Sequence, residues 1–377
     1  MRWPGLVLAY RIMKHITSRT RSADKLEISI GPQCFNNCCF CSEGGRGTRG
    51  YMPLAEARKI LKTHSHAHKV VFNGGEPTTN KDFFRYLALA KKTAARQIGV
   101  VTSGEWFGER AFFDRAVREG MNMIMFSLQS GDEKTHDTIV GRRGAHARLM
   151  RALGYALKTK ERMLRASPDA RDVFRIHIHT CMHRLNYREI PFLVNTMVSQ
   201  YPLLDQYILQ TMEVTGNAAR NITATHVRYT TALAHCARHL NAAAPLIRRK
   251  VRIESATYCM APQALWPIVG WRDSVTSGEE ANYSDQDAQL LLAHIARNKG
   301  SNGSTIRTIG GSFGKSYGKP CKHCAARRFC DGIWKLYVLR NGWGEFKPIT
   351  GPKAIGSLMR RRDIQKKYNS KGSHANI

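Results

Sequence analysis

Apolar and polar positions along this chain fall into short β-branched runs separated by longer amphipathic stretches. The runs Leu26–Ile30, Lys69–Asn73, Ile98–Thr102, Met121–Gln129, Phe174–Cys181 and Tyr207–Thr211 have the length and composition of strands. Between them, Leu54–Thr63, Lys81–Arg96, Glu109–Glu119 and Ala145–Leu164 have the length and apolar spacing of helices with one greasy face. Strand and helix alternating six times predicts right-handed βαβ units and a parallel sheet.

Six such units can close toward a barrel or lie open as a doubly wound sheet, and the strand pattern chooses between them. A sheet covered by helices on both faces reads as continuous apolar runs. Here Ile176, Ile178 and Thr180 alternate with His177, His179 and Cys181, and Leu26, Ile28 and Ile30 alternate with Glu27 and Ser29. Ser127 and Gln129 likewise share a face. One polar face per strand predicts an α/β fold, a partial (β/α)6 TIM-like barrel with a polar lumen. The rhythm stops after Thr215-Gly216-Asn217. A helical stretch around Thr230–His239 and a short strand near Val251–Glu254 then lead into a small C-terminal α+β domain. The expected division is a helical lead-in over 1–24, the barrel over 25–220, the small domain over 221–346 and a basic tail over 347–377. Residues 273–288 are locally acidic, and Ser301-Asn302-Gly303-Ser304 reads as a loop.

Ten cysteines among 377 residues make compartment the next question. The run Trp3–Tyr10 is broken by Arg11 and has no small-residue cleavage site behind it, so it reads as a helix and not a signal peptide. No apolar stretch approaches the roughly 20 residues of a membrane span. The expected compartment is the reducing cytoplasm, where clustered thiols more often hold metal than form disulfides. The formal charge of +31 favours an anionic partner: an acidic peptide, a nucleic acid or a lipid surface.

The first strand runs into Gly31-Pro32-Gln33-Cys34-Phe35-Asn36-Asn37-Cys38-Cys39-Phe40-Cys41. A Cys-x3-Cys-x2-Cys set supplies three ligands, one fewer than a closed zinc or iron–sulfur site takes. Its place, just past a strand, is the mouth where barrel enzymes do their chemistry. The second strand runs into Asn73-Gly74-Gly75-Glu76-Pro77, the third into Thr102-Ser103-Gly104, and the fourth into Ser127-Leu128-Gln129-Ser130. His136-Asp137 and Gly141-Arg142-Arg143-Gly144 follow.

These motifs resemble those of the radical S-adenosylmethionine (radical SAM) enzymes over roughly residues 25–215. The run CFNNCCFC is similar to the family's cluster loop, and Gly74-Gly75-Glu76-Pro77 to its GGEP motif. The resemblance implies a 4Fe–4S cluster on Cys34, Cys38 and Cys41, with Cys39 a bystander. It implies that Gly74, Gly75, Glu76 and Pro77 receive the SAM amino group. The strand-end Ser103 belongs to the same cofactor set, and Ser127 and Arg143 meet the ribose or carboxylate. The implied reaction is reductive cleavage of SAM to a 5′-deoxyadenosyl radical that takes hydrogen from a substrate in the lumen. An electron donor such as flavodoxin or ferredoxin would serve it.

Farther along, Cys321, Cys324 and Cys330 form a Cys-x2-Cys pair with a third thiol nearby, and Cys259 opens the same small domain. This resembles the twitch or SPASM domain, which implies a second 4Fe–4S cluster. Zinc, with Cys259 or His323 as fourth ligand, is the open alternative. Cys181, on the lumen stripe, is a candidate hydrogen donor. Cys236, in a helical stretch, reads as a small buried hydrophobe, and Trp334, Tyr337 and Trp343 as domain core. Relatives of this architecture modify peptides or proteins. An RNA substrate is the alternative, and a non-catalytic iron–sulfur protein a third reading of another class.

Overall fold

Seven strands pair side by side in chain order, every neighbour parallel: β1 (Lys25–Ser29), β2 (Lys69–Asn73), β3 (Gln97–Thr102), β4 (Met123–Ser127), β5 (Arg175–Met182), β6 (Gln206–Thr211) and β7 (Val251–Glu254). The computed structural model describes residues 25–44, 50–167, 174–269, 315–330 and 332–351. The lead-in over 1–24, the acidic stretch 273–288, the loop 301–304 and the tail beyond residue 351 lie outside the described residues.

The sheet curls into a partial TIM-like barrel, as the alternation predicts. Strand register puts Leu26, Ile28, Val70, Phe72, Ile98, Val100, Ile124, Phe126, Ile176, Ile178, Tyr207, Leu209, Val251 and Ile253 on the outer face. All of them belong to one buried apolar cluster with the helices. Between the strands run α1 (Leu54–Thr63), α2 (Phe83–Lys91), α3 (Arg110–Arg118), α4 (Glu133–Val140), α5 (Ala145–Ala166) and α6 (Ile190–Gln200). All but α4 turn an apolar stripe toward that cluster; α1, for example, buries Ala57, Ile60 and Leu61, spaced at three and four, whereas Ile139 and Val140 of α4 form a separate cluster with Ala145 under the cysteine loop. The inner face carries Lys25, Glu27, Lys69, Asn73, Ser127, His177, His179, Gln210 and Glu254. Parallel strands with polar residues on one face are what a lined lumen requires.

Two expectations change. The barrel does not end at its sixth strand, because β7 pairs in parallel with β6 and buries Val251 and Ile253 completely. The crossover between them holds several short helices: α7 (Gly216–Arg220), α8 (Ile222–Thr225), α9 (Tyr229–His239) and α10 (Pro245–Lys250). That broken crossover hides the seventh unit from a search for one long helix. The start of the basic tail is also packed: Ile349 is buried, and its carbonyl accepts a hydrogen bond from Ala325 N–H at 3.0 Å.

The C-terminal segment contributes a small antiparallel pair, β8 (Lys315–Ser316) and β9 (Ile333–Trp334), followed by α11 (Lys335–Asn341). Tyr337 stacks on Tyr229 of α9 at 3.7 Å between ring centroids, and its hydroxyl donates to Glu345 at 2.5 Å. Trp334 and Tyr337 are buried and Trp343 packs against them, so these aromatics are core. Cys236 is buried in α9, as its helical setting predicts.

Candidate functional site

The cysteine loop leaves β1 at the C-terminal mouth of the barrel, and backbone hydrogen bonds hold it on three sides. From the β2 end, Gly75 N–H donates to Gly31 O at 2.8 Å and Glu76 N–H to Gln33 O at 2.7 Å. From α4, Val140 O accepts Asn37 N–H at 2.9 Å and Ile139 O accepts Cys39 N–H at 3.0 Å. From α7, Asn217 N–H donates to Cys41 O at 2.8 Å, and its side-chain amide to Cys38 O at 3.0 Å. Asn221 reaches Cys39 O at 3.1 Å.

The two glycines of the β2 end make this fit possible. A Cβ on Gly75 would lie 2.3 Å from Gln33 O and 2.4 Å from Pro32 O. Gly74 has φ +127°, a region L side chains avoid, and its Cβ would strike Gly31 O. Their first service is therefore close packing on the cysteine loop. Their own carbonyls accept no hydrogen bond from any described residue, which leaves acceptors at the mouth.

Burial and the neighbouring thiols raise Cys38 well above its ordinary pKa. Cys34 touches solvent at the mouth while protein surrounds most of it. Burial, then the charges of Glu76 and Cys41, push it up to about 11. Cys34, Cys38 and Cys41 thus lie close enough to repel one another as thiolates, a repulsion that a cation among them would reverse. Asn36 N–H already points at Cys34 Sγ, at 3.4 Å. Among the described residues no group of three or more His, Cys, Asp or Glu side chains is placed so that it could hold a metal ion, and this applies to both sets of cysteines. Cys39, also raised to about 11 by burial, packs beside Ile139 and Val140. Phe40 stacks on His183 at 5.1 Å.

Glu76, 1% exposed, is the organiser of the mouth. Its carboxylate accepts from Thr78 N–H, Thr78 Oγ1, Thr102 Oγ1, Ser103 N–H and Ser103 Oγ at 2.7–3.3 Å. Ser103 is therefore tied to Glu76, locking the ends of β2 and β3 together. Ser127 lies on the lumen face level with His179. Arg143 is exposed on the turn after α4, where its carbonyl accepts from Arg148. The sequence reading passed over its neighbour Arg142. That guanidinium donates to Phe35 O at 3.3 Å, beside Cys34, and pairs with Glu105 at 2.6 Å. Only the fold brings residue 105 beside residue 142.

Cys181 is buried on the lumen face, level with Gln210, and its N–H donates to Gln129 Oε1 at 3.0 Å. Burial first, then the charges of Cys39, Glu213 and Cys41, drive its pKa up, so it is a neutral thiol between the cysteine loop and the lumen.

The second set of cysteines also converges. Cys259, Cys321, Cys324 and Cys330 line one cavity, backed by Trp343 and Phe346. Burial pushes Cys259 up to about 12, with the other three thiols adding to the rise. Gly332 N–H donates to Cys330 Sγ at 3.3 Å and Ile349 N–H to Cys324 Sγ at 3.4 Å, the kind of bonds that stabilise sulfur carrying negative charge. His323 is exposed and does not line the cavity. The cavity is thus lined by four sulfurs.

A partial TIM-like barrel with a three-thiol loop anchored at its mouth defines the class. Residues 28–196 match the family described as the radical SAM superfamily. Those residues carry a radical SAM domain. Among curated relatives, it is 28% identical over 129 residues to GTP 3′,8-cyclase of Klebsiella pneumoniae subsp. pneumoniae, covering 32% of this chain and 39% of that enzyme. It is 29% identical over 142 residues to the GTP 3′,8-cyclase of Shewanella denitrificans, covering 36% and 41%. The chain thus spans about two fifths of the curated relatives it matches. Among solved structures, Streptococcus suis SuiB bound to S-adenosylmethionine superposes with a TM-score of 0.53 at 15% identity, over 93% of this chain and 83% of SuiB. SuiB bound to precursor peptide SuiA gives the same TM-score at 14% identity, over 93% and 81%. That likeness is one of fold. No described helix is long and apolar enough to cross a membrane.

Proposed function

We propose that this enzyme holds a 4Fe–4S cluster on Cys34, Cys38 and Cys41, cleaves SAM there reductively, and takes hydrogen from a peptide or protein substrate. The observation that carries this reading is the three-sided backbone anchoring of a loop offering three sulfurs, one short of a closed set. When bound, such a cluster supplies one-electron cleavage of SAM to methionine and a 5′-deoxyadenosyl radical. The protein's part is to orient SAM and keep other hydrogen donors away. The free carbonyls of Gly74 and Gly75 take the amino group, while Glu76 and Pro77 hold that turn in shape. Ser103 fixes Glu76, and Ser127 and Arg143 meet the ribose or carboxylate. Cys181, neutral and facing the lumen, returns a hydrogen to the substrate radical.

Residues 25–220 with β7 form the catalytic barrel in this reading, and Cys259, Cys321, Cys324 and Cys330 hold a second 4Fe–4S cluster in a twitch-like domain. Four sulfurs around one cavity, with His323 turned away, favour it over a zinc site with a histidine ligand. The fold shared with SuiB, which binds a precursor peptide, and the charge of +31 support an acidic peptide substrate. The electron donor would be of flavodoxin or ferredoxin type.

The test is anaerobic reconstitution, reduction and addition of SAM. The expected outcome is 5′-deoxyadenosine and a SAM-dependent change in the spectrum of the reduced cluster. Absence of both rejects the reading. RNA binding whose log affinity falls steeply with log salt would replace the peptide by RNA.

A further inference from the structure

Among the described residues, the inner face of the barrel carries a lysine whose ammonium makes no close ion pair. Lys25 is ion-paired with Glu27 on its own strand. Arg175 pairs with Asp205 at 3.0 Å, and Arg252 donates to the carbonyls of Arg248 and Val251 at 2.8 Å. The side chain of Lys69, in register with Lys25, makes no hydrogen bond or close ion pair with any described residue, although the charges of Glu27 and Glu254 act on it. Its flanking residues Val70 and Phe72 belong to the outer core, so strand alternation turns Lys69 inward.

His177 shares this face and is 7% exposed. Its Nδ1 is buried without a partner. A buried polar atom in that condition is destabilising unless something binds it. The ammonium of Lys69 is the strongest charge acting on His177, so the two groups share one part of the inner wall.

We propose that Lys69 and His177 bind a carboxylate of the substrate at the inner wall of the barrel. The inference deepens the radical SAM reading, because it rests on the substrate lying in the lumen. Charge selects the ligand. Glu27 and Glu254 stand on the same face and act on Lys69, so its ammonium suits a monoanion and the carboxylates repel a dianion such as phosphate. Burial and the charge of Lys25 lower Lys69 to about 8, which leaves it protonated at neutral pH. Burial keeps His177 neutral, able to offer Nδ1–H to a carboxylate oxygen.

The experiment is a titration of the full-length holoenzyme, labelled with 15N-histidine, with acetate, glutarate and inorganic phosphate in turn. The carboxylates are expected to move the His177 imidazole resonances in the wild type and in Lys69→Arg. In Lys69→Met the apparent affinity should fall at least about tenfold, the loss of one charge-assisted contact. No shift in the wild type, equal shifts in Lys69→Met, or a stronger response to phosphate would overturn the proposal. Assaying 5′-deoxyadenosine from the wild type separates the two questions. Its absence rejects SAM cleavage, while the carboxylate titration is decided by itself.

Discussion

Asn217 donates its backbone N–H to the carbonyl of Cys41 at 2.8 Å, tying the first turn of α7 to the last cysteine of the loop. Its side-chain amide donates to the carbonyl of Cys38, 179 positions earlier in the chain. Gly216 makes the approach possible, because its φ is +53° and a Cβ there would lie 2.5 Å from Ser42 O. The loop is thus clamped by the far end of the barrel, not by β1 alone.

Gly216→Val should therefore loosen the loop more than it unfolds the barrel. A cost of about 2–4 kcal/mol is expected from strain and clash. Iron retained after anaerobic desalting should drop by at least half, while circular dichroism keeps the wild-type helix content. Full iron retention would mean that the clamp does not matter to the loop.

Glu76→Gln removes the charge that gathers Thr78, Thr102 and Ser103. The expected loss is about 2–4 kcal/mol of stability, because donors that faced a carboxylate now share one oxygen. Urea unfolding measures it. SAM affinity should fall with it, read by equilibrium dialysis, since Glu76 supports the turn and need not touch the ligand.

Stability should decline on acidification between about pH 6.5 and 4. His136 accepts the Gln129 N–H at Nδ1, and burial first, then the charge of His146, lowers it to about 4. The unfolded chain binds that proton near pH 6.5, so the contribution is full above this value and is lost as pH falls through the folded pKa. The shift corresponds to about 3 kcal/mol at most. His136→Asn, which can keep an acceptor near Nδ1, should flatten the dependence of unfolding free energy between pH 5 and 7.

Cys259→Ala and His323→Ala should part company in metal analysis. With two clusters the wild type holds about eight irons, and Cys259→Ala should fall toward four while His323→Ala stays at eight. Zinc in the wild type, or iron lost with His323, would contradict the four-sulfur assignment.

Much of the site is written in local sequence. Cys34, Cys38 and Cys41 lie within eight residues, and the Gly74–Pro77 turn follows one βα unit later, so both were legible before any fold was known. The alternation of His177, His179 and Cys181 with Ile176, Ile178 and Thr180 disclosed a two-faced strand, and register confirms it. What stayed hidden depends on distance in the chain. Arg142 looked no different from Arg143, yet it is the one that meets Glu105 and Phe35 O. The seventh strand, with its crossover split among short helices, carries too weak a local pattern to join the barrel on paper.

The chain by itself determined periodicity, the polar lumen and the two sets of thiols, because spacing along a backbone of fixed geometry dictates which face each residue takes. Only the tertiary structure decided that Cys259 lines one cavity with Cys321, Cys324 and Cys330, that Asn217 clamps the cysteine loop, and that Lys69 makes no close ion pair with a described residue. Such partnerships depend on how the sheet curls and the crossovers return, and no local pattern encodes the distance between residues so far apart.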